Sequence, residues 1–204
     1  MIFIIMKNQL LVLFYRNPVL GKVKTRLAAR IGDEKALAVY FLLSHHTKEI
    51  TTPVACDKNL YYTDFIDTED NWPTTVYHKS LQHGADLGEK MMHAFHDGFE
   101  KKYDAICIIG TDCFELTTGI VESAFEMLKT NDVVIGPAKD GGYYLLGMNR
   151  LYGPLFQNKK WSSDSVAAST IRDCKDLNLK VFELPMLTDV DEEKDLPHLL
   201  KKII

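Results

Sequence analysis

Cysteines are few in this sequence, and they are not arranged as a disulfide framework. The four cysteines, Cys56, Cys107, Cys113 and Cys174, include no Cys-x-x-Cys pair, and Cys107 lies in an apolar segment. This usage is typical of a reduced chain rather than of a small secreted protein stabilised by disulfides. We therefore predict a cytoplasmic location.

Excess positive charge and long apolar runs are also missing. The formal net charge is -4, whereas a protein that binds nucleic acid broadly normally presents a basic stripe. The apolar residues Met1–Ile5 are soon followed by Lys7, so this run is too short to cross a membrane. No basic residue precedes the run and no small-residue cleavage site follows it. We expect no nucleic-acid partner and no membrane span, and Met6 is an alternative to Met1 as the natural start.

The length of 204 residues, with 46% hydrophobic and 25% charged residues, suits one globular domain over residues 1–204. Strand-like and helix-like segments alternate along the chain, which predicts an α/β fold with three α/β/α layers and a mainly parallel sheet. The predicted strands are Leu10–Tyr15, Asn59–Thr63, Thr74–Tyr77, Ala105–Ile109, Asp132–Ile135, Tyr143–Gly147 and Lys180–Leu184. The predicted helices are Val23–Ile31, Glu34–Ile50, Glu89–Lys101, Thr118–Lys129 and Ser163–Asp173, with a short helix near the C-terminus.

Local sequence also predicts how two of these helices end and which faces they bury. Gly32 tolerates a positive φ and is expected to end the first helix, and Asp33 is expected to cap the second. Apolar residues at helical spacing predict a buried stripe. These stripes are Leu37, Tyr40, Phe41 and Leu42 in the second helix, and Met91, Met92, Phe95 and Phe99 in the third.

The segment Arg16–Leu27 is the clearest candidate for a binding loop. It follows an apolar strand directly, contains Gly21, and leads into a helix. Such a loop exposes backbone N–H groups, and the helix start adds a partial positive charge, so the arrangement favours phosphate. Lys22, Lys24 and Arg26 add full charges. The alternative is a solvated basic turn.

Carboxylates follow several of the predicted strands. Asp112 and Asp140 each follow a buried strand, and Asp189 and Asp191 follow the last one. Ligands of open α/β sheets bind beyond the carboxyl ends of the strands, and carboxylates beside a polyphosphate repel it unless a divalent cation lies between them. Asp112 with Asp189 or Asp191 is therefore predicted to hold Mg²⁺ or Mn²⁺. For each aspartate taken alone, a helix cap or turn is the alternative.

The sequence Asp140-Gly-Gly-Tyr-Tyr144 predicts a second kind of contact. Two glycines let the backbone approach a ligand closely, and Asp140 is placed to position or deprotonate an acceptor hydroxyl. The alternative is a β-turn, which Asp-Gly forms readily.

Six motifs in order resemble one known family. They are Arg-Asn-Pro-Val-Leu-Gly-Lys-Val-Lys-Thr-Arg-Leu (16–27), Gln-His-Gly-Ala-Asp-Leu-Gly-Glu-Lys-Met (82–91), Gly-Thr-Asp-Cys (110–113), Gly-Pro-Ala-Lys-Asp-Gly-Gly-Tyr-Tyr-Leu-Leu-Gly (136–147), Trp-Ser-Ser (161–163) and Asp-Val-Asp (189–191). The chain resembles the arsenosugar-biosynthesis glycosyltransferases, also called radical-SAM/selenodomain-associated transferase 1. The resemblance implies the GT-A fold of the nucleotide-diphospho-sugar transferase superfamily.

The resemblance also implies roles for matched residues. The nucleotide-binding positions are Arg16, Gly21, Lys22, Lys24, Thr25 and Arg26 in the first loop, and Gln82, Gly84, Asp86 and Gly88 in the second. Asp112 matches a single metal-binding aspartate that replaces the Asp-x-Asp of many GT-A enzymes, and Asp189 and Asp191 match distal carboxylates. The acceptor-side positions are Gly141, Gly142, Tyr143 and Trp161, and the candidate catalytic residues are Asp140 and Asp112. Phe114, Ala85, Lys90 and Ser163 depart from the usual residues of the family, and none of them removes a candidate catalytic group.

Three functions remain open at this point. The first is a metal-dependent glycosyltransferase with a nucleotide-diphosphate sugar and a small-molecule acceptor. The second is a nucleotidyltransferase that joins a nucleoside triphosphate to a phosphorylated small molecule and releases pyrophosphate. The third is a non-catalytic nucleotide-binding domain. The donor, the acceptor, the stereochemistry and the oligomeric state are not specified by the sequence, and the loops Asp64–Trp72 and Tyr152–Trp161 are predicted to face the substrates.

Overall fold

A computed structural model of the protein describes residues 8–161 and 163–201. The choice between Met1 and Met6 as the start, and Ser162 of the Trp-Ser-Ser motif, lie outside these residues. The strands are β1 (Gln9–Tyr15), β2 (Asp57–Tyr62), β3 (Tyr77–Leu81), β4 (Ala105–Ile109), β5 (Val133–Pro137), β6 (Tyr143–Met148) and β7 (Val181–Glu183). The helices are α1 (Thr25–Ile31), α2 (Asp33–Thr51), α3 (Leu87–Glu100), α4 (Thr118–Met127), α5 (Val166–Asp176) and α6 (His198–Lys201), with 3-10 turns at Gly153–Phe156 and Glu193–Asp195.

The seven strands form one sheet in the order β3-β2-β1-β4-β6-β5-β7. Strand β1 is parallel to both of its neighbours, β2 and β4, and only β6 runs antiparallel to the strands beside it. This confirms the predicted α/β fold with a mainly parallel sheet. Because the chain proceeds from β1 to one side through β2 and to the other through β4, the crevice beyond the carboxyl end of β1 is the expected ligand site.

The sheet is buried on both faces, which explains why its strands are continuous apolar runs. Leu11 and Leu13 of β1 belong to a core shared with α2 and α4, whereas Leu10 and Val12 belong to a core shared with α3 and α5. Strand β4 is entirely buried and has the predicted bounds. Strand β3 begins at Tyr77, where the prediction ended it. No helix within 8–161 or 163–201 is long and apolar enough to span a membrane.

The first helix begins two residues later than predicted. Lys24 has φ 48° and ψ 44°, in the left-handed region, so α1 starts at Thr25. Gly32 ends α1 as predicted, and its N–H donates to the carbonyl of Ala28. The prediction that Asp33 caps α2 is wrong, because Gly32 occupies the N-cap position and no side chain bonds to the helix start. Asp33 lies in the first turn, where a negative charge is favourable to the helix dipole.

The buried stripe of α2 is offset from the prediction. Tyr40 is buried as expected, but Phe41 is 48% exposed. The helix instead buries Val39 and Leu43 against α1, in a small core that also contains Leu27. This offset arises because α2 packs on the sheet and on α1 at the same time. The stripe predicted for α3 packs into the core as expected.

Candidate active site

A cleft of about 770 Å³ lies at the carboxyl ends of the parallel strands and the amino end of β6. Its volume is in the range typical of small-molecule sites. Most of the predicted site residues line it: Arg16, Lys24, Thr25, Arg26, Gln82, Asp112, Asp140, Gly142, Tyr143, Trp161, Asp189 and Asp191. Loops that are far apart in the sequence therefore meet here, because parallel strands bring their carboxyl ends to one edge of the sheet.

Six predicted residues are not part of the cleft wall: Gly21, Lys22, Gly84, Asp86, Gly88 and Gly141. Lys22 is exposed, and its carbonyl accepts a hydrogen bond from Arg16 Nη1 at 3.3 Å. Asp86 is the N-cap of α3 and accepts from the N–H of Glu89 at 2.9 Å. Gly84 has φ 136°, and a Cβ there would lie 2.8 Å from the backbone nitrogen of Lys90. The structure thus gives these last two residues a role in fixing the loop before α3.

The basic loop is fixed at its start by Tyr40 of α2. The Tyr40 hydroxyl donates to the carbonyl of Arg16 at 2.6 Å and accepts from the Arg16 N–H at 3.1 Å. Burial raises the pKa of this hydroxyl, and the charge of Asp112 raises it further, so Tyr40 stays a neutral donor. The sequence predicts that Tyr40 lies in the buried stripe of α2, but it does not reveal this contact. A tyrosine that only packs in the core and one that also bonds to a loop occur at the same helical spacing.

Two predicted phosphate-binding cations form ion pairs with two predicted metal ligands. Lys24 Nζ lies 2.9 Å from Asp112 Oδ2, and the Lys24 side chain is only 5% exposed. Arg26 Nη1 lies 2.6 Å from Asp191 Oδ2, and these two side chains are 68% and 39% exposed. The carboxylate of each pair is in contact with solvent, which screens both ion pairs in part.

The loops that carry Asp112 and Asp189 are joined by hydrogen bonds. The N–H of Val190 donates to the carbonyl of Asp112 at 3.0 Å. The N–H of Thr188 donates to the Glu115 carboxylate at 2.7 Å. Burial raises the pKa of Asp189 to about 7, the charges of Asp112 and Asp140 raise it as well, and Lys24 opposes them. The site therefore concentrates negative charge where solvent access is limited.

The loop after β5 forms another part of the cleft wall. Asp140 Oδ1 accepts from the N–H of Gly142 at 2.9 Å, so Asp140 does form the turn that was its alternative interpretation. Gly141 has φ 90°, and a Cβ there would lie 1.9 Å from the carbonyl oxygen of Asp164. The Gly141 carbonyl accepts from the N–H of Ala167 at 2.9 Å. This wall is thus built by close backbone packing between two segments.

Trp161 lines the cleft and packs on α3. A Cβ on Gly88 would lie 2.3–2.4 Å from three atoms of the Trp161 indole, so the ring packs directly on the first turn of α3. Next to it, the Tyr143 hydroxyl donates to Met91 Sδ at 3.7 Å. Burial raises the pKa of Tyr143, which keeps its hydroxyl protonated. Met91 is a core residue, as its helical spacing predicts, and it also lines the cleft.

Several residues of the cleft wall are not predicted by the sequence: Phe14, Tyr40, Thr63, Thr111, Tyr144 and Asp164. Thr111 lies within the Gly-Thr-Asp-Cys motif, and Asp164 directly follows the Trp-Ser-Ser motif, so motif position is a signal that could have identified both. The loop predicted at Asp64–Trp72 does not line the cleft. It is held by the buried side chains of Asn17, which donates to the Phe65 carbonyl, and Lys79, which lies 2.7 Å from Asp70.

The donor set of the cleft fits a hard divalent cation. Asp112 and Asp189 offer carboxylate oxygens, the ligand type that Mg²⁺ and Mn²⁺ prefer, and the carboxylates of Asp140 and Asp164 line the same cleft. Within the part of the chain that the structure describes, neither Asp140, Asp164 nor Asp189 forms an ion pair, and no group of three or more acidic, histidine or cysteine side chains forms a complete metal site. Two carboxylates completed by ligand phosphate oxygens are a common way to bind Mg²⁺.

Comparisons with known proteins agree with this architecture. The profile of the DUF2064 family, described as an uncharacterized protein conserved in bacteria, matches residues 46–163, which is more than half of the chain. No curated protein matches the sequence. A provisionally assigned nucleotide-diphospho-sugar transferase from Desulfovibrio desulfuricans G20 is 29% identical, with a TM-score of 0.83 over 90% of this chain and 82% of its own.

Two more distant structures share the fold. One is CMP:2-keto-3-deoxy-manno-octonic acid synthetase in complex with CTP, with a TM-score of 0.54 and 10% identity over 97% of both chains. The other is Rv0371c of Mycobacterium tuberculosis H37Rv in complex with manganese, with a TM-score of 0.55 and 11% identity over 96% of this chain and 99% of its own. The chain therefore belongs to the DUF2064 family and is a transferase with the fold of the nucleotide-diphospho-sugar transferases.

Proposed function

We propose that the protein is a metal-dependent glycosyltransferase that uses a nucleotide-diphosphate sugar as donor and a small molecule as acceptor. The observation that carries this proposal is that one segment supplies the cations of the cleft, whereas several loops supply its carboxylates. The cationic side chains of the wall among the described residues, Arg16, Lys24 and Arg26, come from the loop after β1 and the first turn of α1. The carboxylates come from the loops after β4, β5 and β7 and from Asp164. The basic segment suits an anion that replaces Asp112 and Asp191 as the partner of Lys24 and Arg26.

The basic side is proposed to bind the diphosphate of the donor. Lys24 and Arg26 would donate charge-assisted hydrogen bonds to phosphate oxygens. Asp112 and Asp189 would repel the diphosphate, so we propose that they hold Mg²⁺ or Mn²⁺. When bound, the cation would offset the charge that develops on the diphosphate leaving group. Asp191, whose carboxylate already pairs with Arg26, is the weakest of the three candidate ligands.

The acidic side is proposed to bind the acceptor. Asp140 uses Oδ1 to accept from Gly142, and its Oδ2 accepts no hydrogen bond from any residue that the structure describes. That oxygen is available to accept the proton of an acceptor hydroxyl. Tyr143 and Trp161 offer apolar surface beside it, which suits a sugar or another ring.

The same charge distribution disfavours nucleotidyl transfer. A nucleotidyltransferase that acts on a phosphorylated small molecule needs positive charge for the phosphate of its second substrate. No lysine or arginine among the described residues lines the cleft outside the loop after β1. A phosphorylated acceptor would instead face Asp140 and Asp164. The likeness to CMP:2-keto-3-deoxy-manno-octonic acid synthetase is a likeness of fold at 10% identity.

At a finer level, we propose membership in the arsenosugar-biosynthesis glycosyltransferase family. The six ordered motifs of the sequence support this proposal, because all six place residues in the wall of one cleft. A single domain over residues 1–204 and a cytoplasmic location also remain predictions.

A thermal-shift screen tests the proposed donor. The ligands are the di- and triphosphates of uridine, guanosine, cytidine and thymidine, and their sugar conjugates, each with and without Mn²⁺. Ligands that bind the native state raise its melting temperature. We expect a Mn²⁺-dependent shift with one sugar nucleotide that is lost in Asp112→Asn and retained in Glu100→Gln, a control at the far end of α3. A shift with triphosphates alone would favour nucleotidyl transfer, and no shift would exclude a nucleotide site. Binding without turnover would indicate a non-catalytic domain.

A further inference from the structure

Lys24 has an unusual position for a phosphate-binding lysine. Its ammonium lies 2.9 Å from Asp112 Oδ2, and its side chain is 5% exposed, whereas the Asp112 side chain is 47% exposed. Lys22, two residues earlier in the same loop, is exposed and does not line the cleft. The loop therefore directs one of its two lysines into the carboxylate cluster and leaves the other in solvent.

The backbone holds Lys24 in this position. Its φ of 48° belongs to the left-handed region, which a lysine rarely occupies. The carbonyl of Lys24 accepts from the N–H of Ala28 at 2.7 Å, as the first bond of α1. The N–H of Lys22 donates to the carbonyl of Val19 at 2.9 Å, which closes the preceding turn. A disfavoured backbone conformation is retained only where the surroundings impose it, so the direction of Lys24 is a specific feature of the loop.

The carboxylates around Lys24 repel one another, so a nearby positive charge stabilises them. Asp112 and Asp140 lie close enough to Asp189 for their charges to act on it, and Lys24 is the cation that acts against them. Arg26 is engaged by Asp191 at the cleft edge. Lys24 is therefore the counter-ion of the Asp112–Asp189 pair in the structure as described.

We propose that Lys24 makes the binding of the divalent cation depend on the nucleotide. This inference rests on the proposed function and specifies the order in which the same site fills. A divalent cation on Asp112 would face the Lys24 ammonium on the same carboxylate and would be repelled by it. The phosphates of a donor offer the ammonium another anionic partner. Bound nucleotide therefore strengthens the binding of the metal. Thermodynamic linkage requires that bound metal strengthens the binding of the nucleotide by the same factor.

The test measures Mn²⁺ binding to the protein alone, with free Mn²⁺ followed by electron paramagnetic resonance. The variants are Lys24→Met and Lys24→Gln, the charge-conserving Lys24→Arg, and Lys22→Met as a matched control from the same loop. Thermal unfolding shows which variants are folded. A unit charge this close changes binding by an order of magnitude or more. We expect Lys24→Met and Lys24→Gln to bind Mn²⁺ about tenfold more tightly than the wild type, and Lys24→Arg and Lys22→Met to match the wild type.

A second measurement uses uridine and guanosine diphosphates. In the wild type, Mn²⁺ is expected to strengthen binding of the preferred diphosphate by a larger factor than in Lys24→Met. Unchanged Mn²⁺ affinity in both neutral variants would overturn the inference about Lys24. If Asp112→Asn in the Lys24→Met background leaves Mn²⁺ binding intact, the metal site itself is wrong and the proposed function fails with it. The two failures are thus distinguishable.

Discussion

The two walls of the cleft are built by different means. The loop after β1 brings charge on long side chains, and Lys24 and Arg26 each contact a carboxylate that a ligand can replace. The wall formed by Asp140–Tyr144 and Asp164–Ala167 has no cation and is fixed by backbone contact at Gly141. The first wall suits a multiply charged leaving group whose charge changes during reaction. The second suits a hydroxyl acceptor that must be held close to one carboxylate.

Removing the carboxylate of the acceptor wall should give the largest effect on activity. In Asp140→Asn the amide keeps the turn with Gly142 but cannot accept a proton. Loss of a general base lowers rates roughly 10²–10⁴-fold. We expect kcat to fall in this range while donor affinity, measured by calorimetry, stays within about twofold. A loss of donor binding with unchanged kcat would assign Asp140 to the donor wall instead.

The negative charge of the metal side should make stability depend on pH. Burial and neighbouring charges raise the pKa of Asp189 from 3.8 to about 7 in the folded protein. The folded state therefore holds a proton that the unfolded state releases between pH 4 and 7. The stability that Asp189 contributes to the metal-free protein should be fully present below pH 4 and should be lost as pH rises through 7, a change of at most about 4 kcal/mol from this group.

Urea unfolding between pH 4 and 8 in the presence of EDTA measures this dependence. Asp189→Asn is expected to flatten the curve over that range, and Mn²⁺ with the donor is expected to restore stability above pH 7. A wild-type curve that rises between pH 5 and 8, with the variant unchanged, would show that Asp189 is ionised and compensated in the folded state.

A methyl group at Gly141 should push apart the two segments of the wall formed by Asp140–Tyr144 and Asp164–Ala167. Gly141→Ala places a Cβ 1.9 Å from a backbone oxygen of Asp164 and leaves alanine at φ 90°. Overpacking and left-handed strain together cost about 2–4 kcal/mol. Gly119→Ala is the matched control, because nothing lies within 4 Å of its Cβ and it sits inside α4. Equal melting temperatures for the two variants would contradict the proposed packing of the wall.

A smaller effect is expected where Trp161 packs on α3. Gly88→Ala would push the indole off α3, because its Cβ would lie 2.3–2.4 Å from the ring. We expect KM for the acceptor to rise severalfold. Trp161→Ala should give a similar increase, and the double variant should be no worse than Trp161→Ala, with a coupling of about 1–2 kcal/mol. Additive effects would mean that the two residues act separately.

Much of the fold is predictable from the sequence because its strands are buried on both faces. A continuous apolar run such as Ala105–Ile109 gives a strand with the observed bounds. Strand β3 is less predictable, since it is an edge strand with only Tyr77 fully buried. The face of α2 is also misjudged, because Phe41 is exposed and Leu43 is buried by a contact with α1 that the helical period does not reveal.

The sequence predicts which residues line the cleft, but it does not predict which of them contact each other. Asp112, Asp140 and Asp189 meet because each follows a strand of one sheet. The ion pair of Lys24 with Asp112 depends on a left-handed backbone at a non-glycine residue, which the sequence around Lys24 does not indicate. The contact between Trp161 and Gly88 joins segments 73 positions apart (161 − 88) and depends on tertiary packing alone.

Product analysis tests the central claim most directly. The protein is incubated with Mn²⁺ and each sugar nucleotide, and separately with each nucleoside triphosphate and a set of sugar phosphates, and the released phosphates are identified by chromatography. The account predicts release of a nucleoside diphosphate from one sugar nucleotide, accelerated by an acceptor without a phosphate group and abolished in Asp112→Asn. Release of pyrophosphate that requires a phosphorylated acceptor would contradict it.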